Sequence, residues 1–318
     1  MREETMTNKK TQVISIVGAG GKTSLLYVLA DMFLRGSGNL RLFGLEPVRI
    51  HEGSEAPVKR ETVARSPKVL VTTSTKIQVP EHCGWCADAS ACEAEWSAGH
   101  YAVAGTLTEA ALAGTELSAS KESAEGQGKE SPSKADPPVR KLGPLPEAEF
   151  QKALAAADVV LIEADGAKHL PLKIPAAHEP VIRPETTQVL GVAGLSCIGK
   201  PFGEVCFRAE LADQVPGLLE ILPADRVVNA ETAAFLLASD QGTRKSAGDR
   251  PYLAVLNQCT TPEQKEAGGK ILRLLKENSG IRGILTALPL PGAWKKRDRE
   301  NRGRPAACGK GKTDECRD

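Results

Sequence analysis

Val13-Ile14-Ser15-Ile16-Val17-Gly18-Ala19-Gly20-Gly21-Lys22-Thr23-Ser24-Leu25-Leu26 runs an apolar strand into a glycine turn, a Lys-Thr pair and the start of a helix. The pattern predicts a phosphate-binding loop. Glycines let the backbone turn with its amides toward phosphate oxygens, and the following helix offers its positive N-terminal end. Lys22 supplies a mobile charge and Thr23 a hydroxyl for Mg²⁺, so Gly18, Gly20, Gly21, Lys22, Thr23 and Ser24 are the expected nucleotide-binding residues. The commonest spacing would place a further glycine where this chain has Ile16, so the loop is a short one, Gly-x-x-Gly-Lys-Thr.

Composition bounds the alternatives. A chain of 318 residues, 41% hydrophobic and 25% charged, can bury a full core. Its formal net charge of +1 provides no overall field to recruit nucleic acid or a membrane surface, so neither is an expected partner. The first dozen residues are polar and lead straight into the strand, which makes cytoplasm the expected location. In that compartment the eight cysteines are expected as reduced thiols or metal ligands rather than disulfides.

Leu25, Leu26, Leu29 and Phe33 recur at helical spacing over Ser24 to Leu34. Residues 39–66 have no sustained period and read as an irregular connection. Lys68 to Lys76 repeats the first design, a buried strand ending in hydroxyls and a lysine, which makes Thr75 and Lys76 candidates for phosphate or metal contact at a carboxyl edge of the sheet. Cys83, Cys86 and Cys92, with His82, have partial metal-ligand spacing without a complete set, and whether they bind a metal stays open. Tyr101 to Gly105 reads as a short strand and Leu107 to Leu117 as a helix. Residues 118–138 have the composition of a disordered insertion. The elements on either side continue one pattern, which predicts a single nucleotide-binding domain over residues 12–292 and a charged, disordered tail over 293–318.

Asp158 to Ile162 reads as a strand that runs into Glu163 and Asp165, hard oxygen donors opposite the loop lysine. Residues two apart in a strand share a face, so both carboxylates are candidates for one Mg²⁺, with Asp165 the expected ligand beside Thr23 and Glu163 a water-orienting partner. The next stretch, 168–180, is a proline-stiffened loop carrying Lys168, Lys173, His178 and Glu179, able to grip an anionic substrate and supply an acid or base. Glu163, Asp165, Lys173, His178 and Glu179 are therefore the catalytic candidates. Further on, Gln188 to Val192, Tyr252 to Leu256 and Gly283 to Leu288 read as strands, Asn229 as a helix cap and Lys265 to Lys276 as a surface helix. Together these elements predict an α/β fold of the P-loop NTPase-like kind, a mostly parallel sheet with helices on both faces.

The short loop resembles that of ATP-dependent amide ligases of the Mur type. Asn257-Gln258-Cys259-Thr260 resembles the place where GTPases keep Asn-Lys-x-Asp, but Thr260 stands where the guanine-pairing Asp would be, so the nucleotide is left as ATP or GTP. Taken in order, Gly18 to Thr23, Thr72 to Lys76, Glu163 to Lys168, Pro171-Leu172-Lys173 and His178-Glu179-Pro180 resemble the YqeC family, from about Val13 to about Pro291. The resemblance implies a P-loop nucleotide-binding protein acting in selenium cofactor biosynthesis or in maturation of selenium-dependent molybdenum hydroxylases. Such a hydroxylase, or the proteins that assemble its cofactor, is the partner it implies. Three readings follow: a nucleotide-hydrolysing accessory protein, a ligase or kinase acting on a small anionic substrate, and a non-catalytic module controlled by its nucleotide.

Overall fold

The structure, a computed structural model, describes residues 11–48, 65–79, 83–108 and 141–288. The insertion at 118–138, the tail at 293–318 and His82 lie outside the described residues. Twelve strands are described: β1 (Gln12–Gly18), β2 (Val69–Thr73), β3 (Ile77–Gln78), β4 (Ala102–Val103), β5 (Thr106–Leu107), β6 (Lys141–Gly143), β7 (Val159–Glu163), β8 (Leu172–Lys173), β9 (Gln188–Gly194), β10 (Cys206–Phe207), β11 (Tyr252–Asn257) and β12 (Arg282–Leu285). Seven form one parallel sheet in the order β12-β11-β9-β1-β7-β2-β4. This is the α/β architecture that the run of apolar strands predicts.

The strands are apolar throughout because both faces of the sheet are covered. On one face Ile14, Ile16, Val69, Val71, Leu161 and Leu190 pack with Leu25, Leu29 and Phe33 of the helix Lys22–Leu34. On the other, Val13, Leu70, Val160 and Ile162 pack with Cys92 and Trp96 of the helix Ala89–Ser97 and with Phe150 and Ala153 of the helix Glu147–Ala156. Burying each of the larger side chains stabilises the fold by about 1.5–3 kcal/mol. A further cluster joins β11, through Ala254 and Leu256, to the helices Ala230–Ala238 and Pro262–Ser279.

Local chemistry explains where the elements differ from expectation. The helix expected from Lys265 begins at Pro262, because Thr261 and Gln264 close a capping box around a first-turn proline. Within the irregular connection, Ser37 caps a 3₁₀ turn, Gly38–Phe43, that buries Leu40 and Phe43. Leu107, expected to open a helix, instead pairs across β5 with Leu142 of β6. Residues 109–117 lie outside the description.

Topology places the ends that matter. After β1 the chain builds β2, β4 and β7 on one side, and then β9, β11 and β12 on the other. The order therefore reverses beside β1. A crevice outside the carboxyl ends at such a point is where open α/β sheets bind ligands, and the glycine turn follows β1 at that place.

Candidate functional site

The turn from β1 into its helix is held by close backbone approach. Gly18, Gly20 and Gly21 have φ of 93°, 77° and 120°, which side chains seldom allow. A Cβ on Gly20 would overlap the Gly194 backbone, and one on Gly21 would overlap the Asn257 amide. The Ala19 amide donates to Val192 O at 2.9 Å and the Gly20 amide to Leu170 O at 3.0 Å. Asn257, at the end of β11, donates from Nδ2 to Gly20 O at 2.8 Å and accepts the Leu288 amide at 2.9 Å through Oδ1. It straps the loop to the far half of the sheet, a role the sequence did not reveal.

One expectation about the loop changes here. The amides of Gly18, Ala19 and Gly20 are engaged within the protein, the first by the Asp165 carboxylate at 3.1 Å. The donors outside the helical ladder are those of residues 21–24, since the ladder starts with Leu25 donating to Gly21 O. Helix N-termini with free amides are where anions commonly bind; Thr23 is half-buried and Ser24 buried at this one.

Lys22, expected as a mobile charge, is only 4% exposed. Its Nζ donates to Gly18 O at 2.7 Å and lies 3.2 Å from Asp165 Oδ1, an ion pair without an aligned hydrogen bond at that oxygen. Lys173, buried at the end of β8, reaches the other oxygen of Asp165 at 3.0 Å. It also donates to Gly166 O at 2.6 Å and pairs with Glu179 at 2.7 Å. Arg208 closes the chain on the same Glu179 oxygen. Lys22, Asp165, Lys173, Glu179 and Arg208 thus form one continuous ionic chain from the glycine loop into the proline-rich loop.

The carboxylates divide the work differently from expectation. Thr23 Oγ1 donates to Glu163 Oε2 at 2.7 Å. Asp165, the expected companion of Thr23, lies beyond the end of β7 and faces two lysines and an amide. Glu163 is the carboxylate that the register of β7 against β1 brings to the threonine. Burial pushes the Glu163 carboxyl up, with Lys22 and the Thr23 hydroxyl opposing. His178 is exposed, away from the ionic chain's contacts, and Lys76 is exposed. Thr75 has its hydroxyl buried without a hydrogen-bond partner. Neither Thr75 nor Lys76 bonds to the glycine loop among the described residues. Cys86 and Cys92 are buried free thiols, while Cys83 Sγ lies 3.4 Å from Tyr101 Oη. Among the described residues no group of three or more His, Cys, Asp or Glu is arranged to hold a metal ion. Nor is any described helix long and apolar enough to cross a membrane.

Glu179 gives a pH signature. Burial opposes its ionisation, but hydrogen bonds from Lys173 and Arg208 prevail and bring the carboxyl from 4.5 down to about 2. A carboxyl with a depressed folded value stabilises the fold above its unfolded value, and the contribution disappears as pH falls through the folded value. Stability is therefore expected to fall between pH 4.5 and about 2. Urea midpoints across that interval should fall less steeply in Glu179→Gln, and equal slopes would remove Glu179 as the cause.

Comparison with known proteins gives a partial match to one family. Residues 57–210 match the family described as YqeC protein, a span that contains Glu163, Asp165, Lys168, Lys173, Glu179 and Arg208 and starts beyond the glycine loop. The chain is also 30% identical over 191 residues to a protein of Escherichia coli strain K12 named "Uncharacterized protein YqeC". The alignment covers 60% of this chain and 55% of that protein.

Proposed function

On the premise that residues 57–210 are a YqeC-family region, we propose that this chain binds a nucleoside triphosphate, ATP or GTP, with Mg²⁺ at the glycine loop. The observation that carries the reading is the Thr23–Glu163 contact of 2.7 Å beside the helix amides of residues 21–24. A hydroxyl and a carboxylate are hard oxygen donors, and Mg²⁺ keeps waters and substrate phosphates as its remaining ligands, so no cage of three protein side chains is required. Thr23 and Glu163 would hold the ion, which would offset charge on the phosphates. Asp165 then acts from behind, orienting Lys22 and the Gly18 amide.

In this reading the chain is a nucleotide-dependent accessory protein of selenium cofactor biosynthesis or of selenium-dependent molybdenum hydroxylase maturation. That role rests on the order of its motifs. The ionic chain from Lys22 to Arg208 favours a ligase or kinase acting on a small anionic substrate as the second reading, since it links the triphosphate site to the cationic loop. Phosphate release without a co-substrate would favour hydrolysis, and release that needs a small anion the second reading.

Glu163→Gln tests the site. Gln still accepts the Thr23 hydroxyl and removes a carboxylate that burial disfavours, so the nucleotide-free protein should be at least as stable as the original. Magnesium-dependent nucleotide affinity should fall about tenfold or more. A calorimetric Mg²⁺ series with an unaltered requirement would reject Glu163 as ligand.

A further inference from the structure

Three cations converge on one aromatic ring beside the ionic chain. Lys168 Nζ lies 5.2 Å from the centroid of Phe207, Arg208 Cζ 4.3 Å and Lys173 Nζ 5.9 Å. The pairing of β8 with β10 sets this geometry, because Phe207 stands opposite Lys173 in the two-stranded ladder. Attraction to the ring face accounts for one cation comfortably and does not account for three.

The charges do not cancel. Lys22, Lys173 and Arg208 share Asp165 and Glu179, while Lys168 is exposed and has no carboxylate partner among the described residues. Four cations thus face two carboxylates. With Glu163, the carboxylate that accepts the Thr23 hydroxyl, counted as well, the cations still outnumber the carboxylates.

Backbone geometry points the same way. Lys168, His169 and Arg208 have φ of 45°, 64° and 63°, although none is glycine. Residues with side chains persist there only when their surroundings hold them, and such positions concentrate at ligand clamps and active sites. Two of these, Lys168 and Arg208, are among the three cations over Phe207.

We propose that Lys168 and Arg208, set over Phe207, form a second anion subsite that takes the carboxylate or phosphate group of a small-molecule co-substrate. The proposal rests on the nucleotide reading and gives that site its acceptor side. Arg208 presents a planar fork of donors suited to an oxyanion, with Glu179 engaging one end of it, and Lys168 provides the accessible charge. Lys173 and Asp165 link the subsite to the glycine loop, so the co-substrate's anion and the triphosphate would sit at opposite ends of one chain of ion pairs.

Calorimetric titration of the full chain with inorganic phosphate, and separately with malonate, tests this with and without saturating Mg-nucleotide. Lys168 is exposed, so Lys168→Ala and Lys168→Glu should fold. Both are expected to weaken the anion about tenfold or more, the glutamate variant further, with nucleotide affinity unchanged. Phosphate binding alone would mark a phosphorylated co-substrate, and malonate binding alone a carboxylate. Anion affinity equal in the original and both variants would overturn the subsite, as would displacement of the anion by nucleotide. Anion binding that depends on Lys168 in a chain that binds no nucleotide would uphold the subsite and overturn the nucleotide reading.

Discussion

Replacing Asp165 with alanine is expected to lower stability by about 3–5 kcal/mol, because it leaves two buried lysines without the carboxylate they share. Lys22 and Lys173 are 4% and 2% exposed, and Asp165 is 2% exposed, so water cannot take over the lost pairing. The Gly18 amide loses its acceptor in the same step. Urea unfolding gives the measurement. A double variant, Asp165→Ala with Lys173→Met, should regain part of the loss, since an apolar stem no longer leaves a buried charge exposed to apolar surroundings. A loss below about 1 kcal/mol would place the pair among solvent-screened ion pairs and contradict its burial. A carboxylate that only bound Mg²⁺ would behave in the opposite way, leaving the metal-free protein intact and changing only its magnesium dependence.

Gly20→Ala is expected to combine two costs. A left-handed φ of 77° disfavours any side chain by about 1–2 kcal/mol, and overlap with the Gly194 backbone adds about 1–3 kcal/mol because backbone cannot swing aside. Gly36→Ala separates them, since its φ of 60° carries the first cost with nothing within 4 Å of the added carbon. Gly20→Ala should therefore be clearly the less stable variant. It should also lose nucleotide binding, because the loop must move away from β9. Equal urea midpoints for the two variants would contradict the close approach of loop and sheet.

The glycine loop, the strand into Glu163 and the central strands could be read locally because each is a continuous sequence signal. Val13 to Val17 is apolar and rich in β-branched residues, and the glycines follow at once. The roles of individual side chains were harder to read. The two-residue period of an extended strand places Asp165 with Thr23, yet the strand ends at Glu163 and the period ends with it. A phosphate-loop lysine is expected to serve a ligand as a mobile charge, whereas Lys22 is enclosed by a carboxylate more than a hundred residues away. Arg208 carries no local sequence signal of its ion pair. Its partner Glu179 lies on a loop that only the β8–β10 pairing brings alongside.

What the sequence by itself determined is the set of elements and their chemistry: apolar strands that must be covered on both faces, glycines that permit a tight turn, and carboxylates and lysines at strand ends. Periodicity and turn propensity act over a few residues, so they are legible without the fold. Only the tertiary structure decided which charges meet. Register between β1 and β7 gives Thr23 to Glu163, and the turn beyond β7 gives Asp165 to Lys22 and Lys173. Ion pairs and hydrogen bonds require approach to about 3 Å. That approach is set by strand order and loop closure across the whole chain, and a linear pattern does not record it.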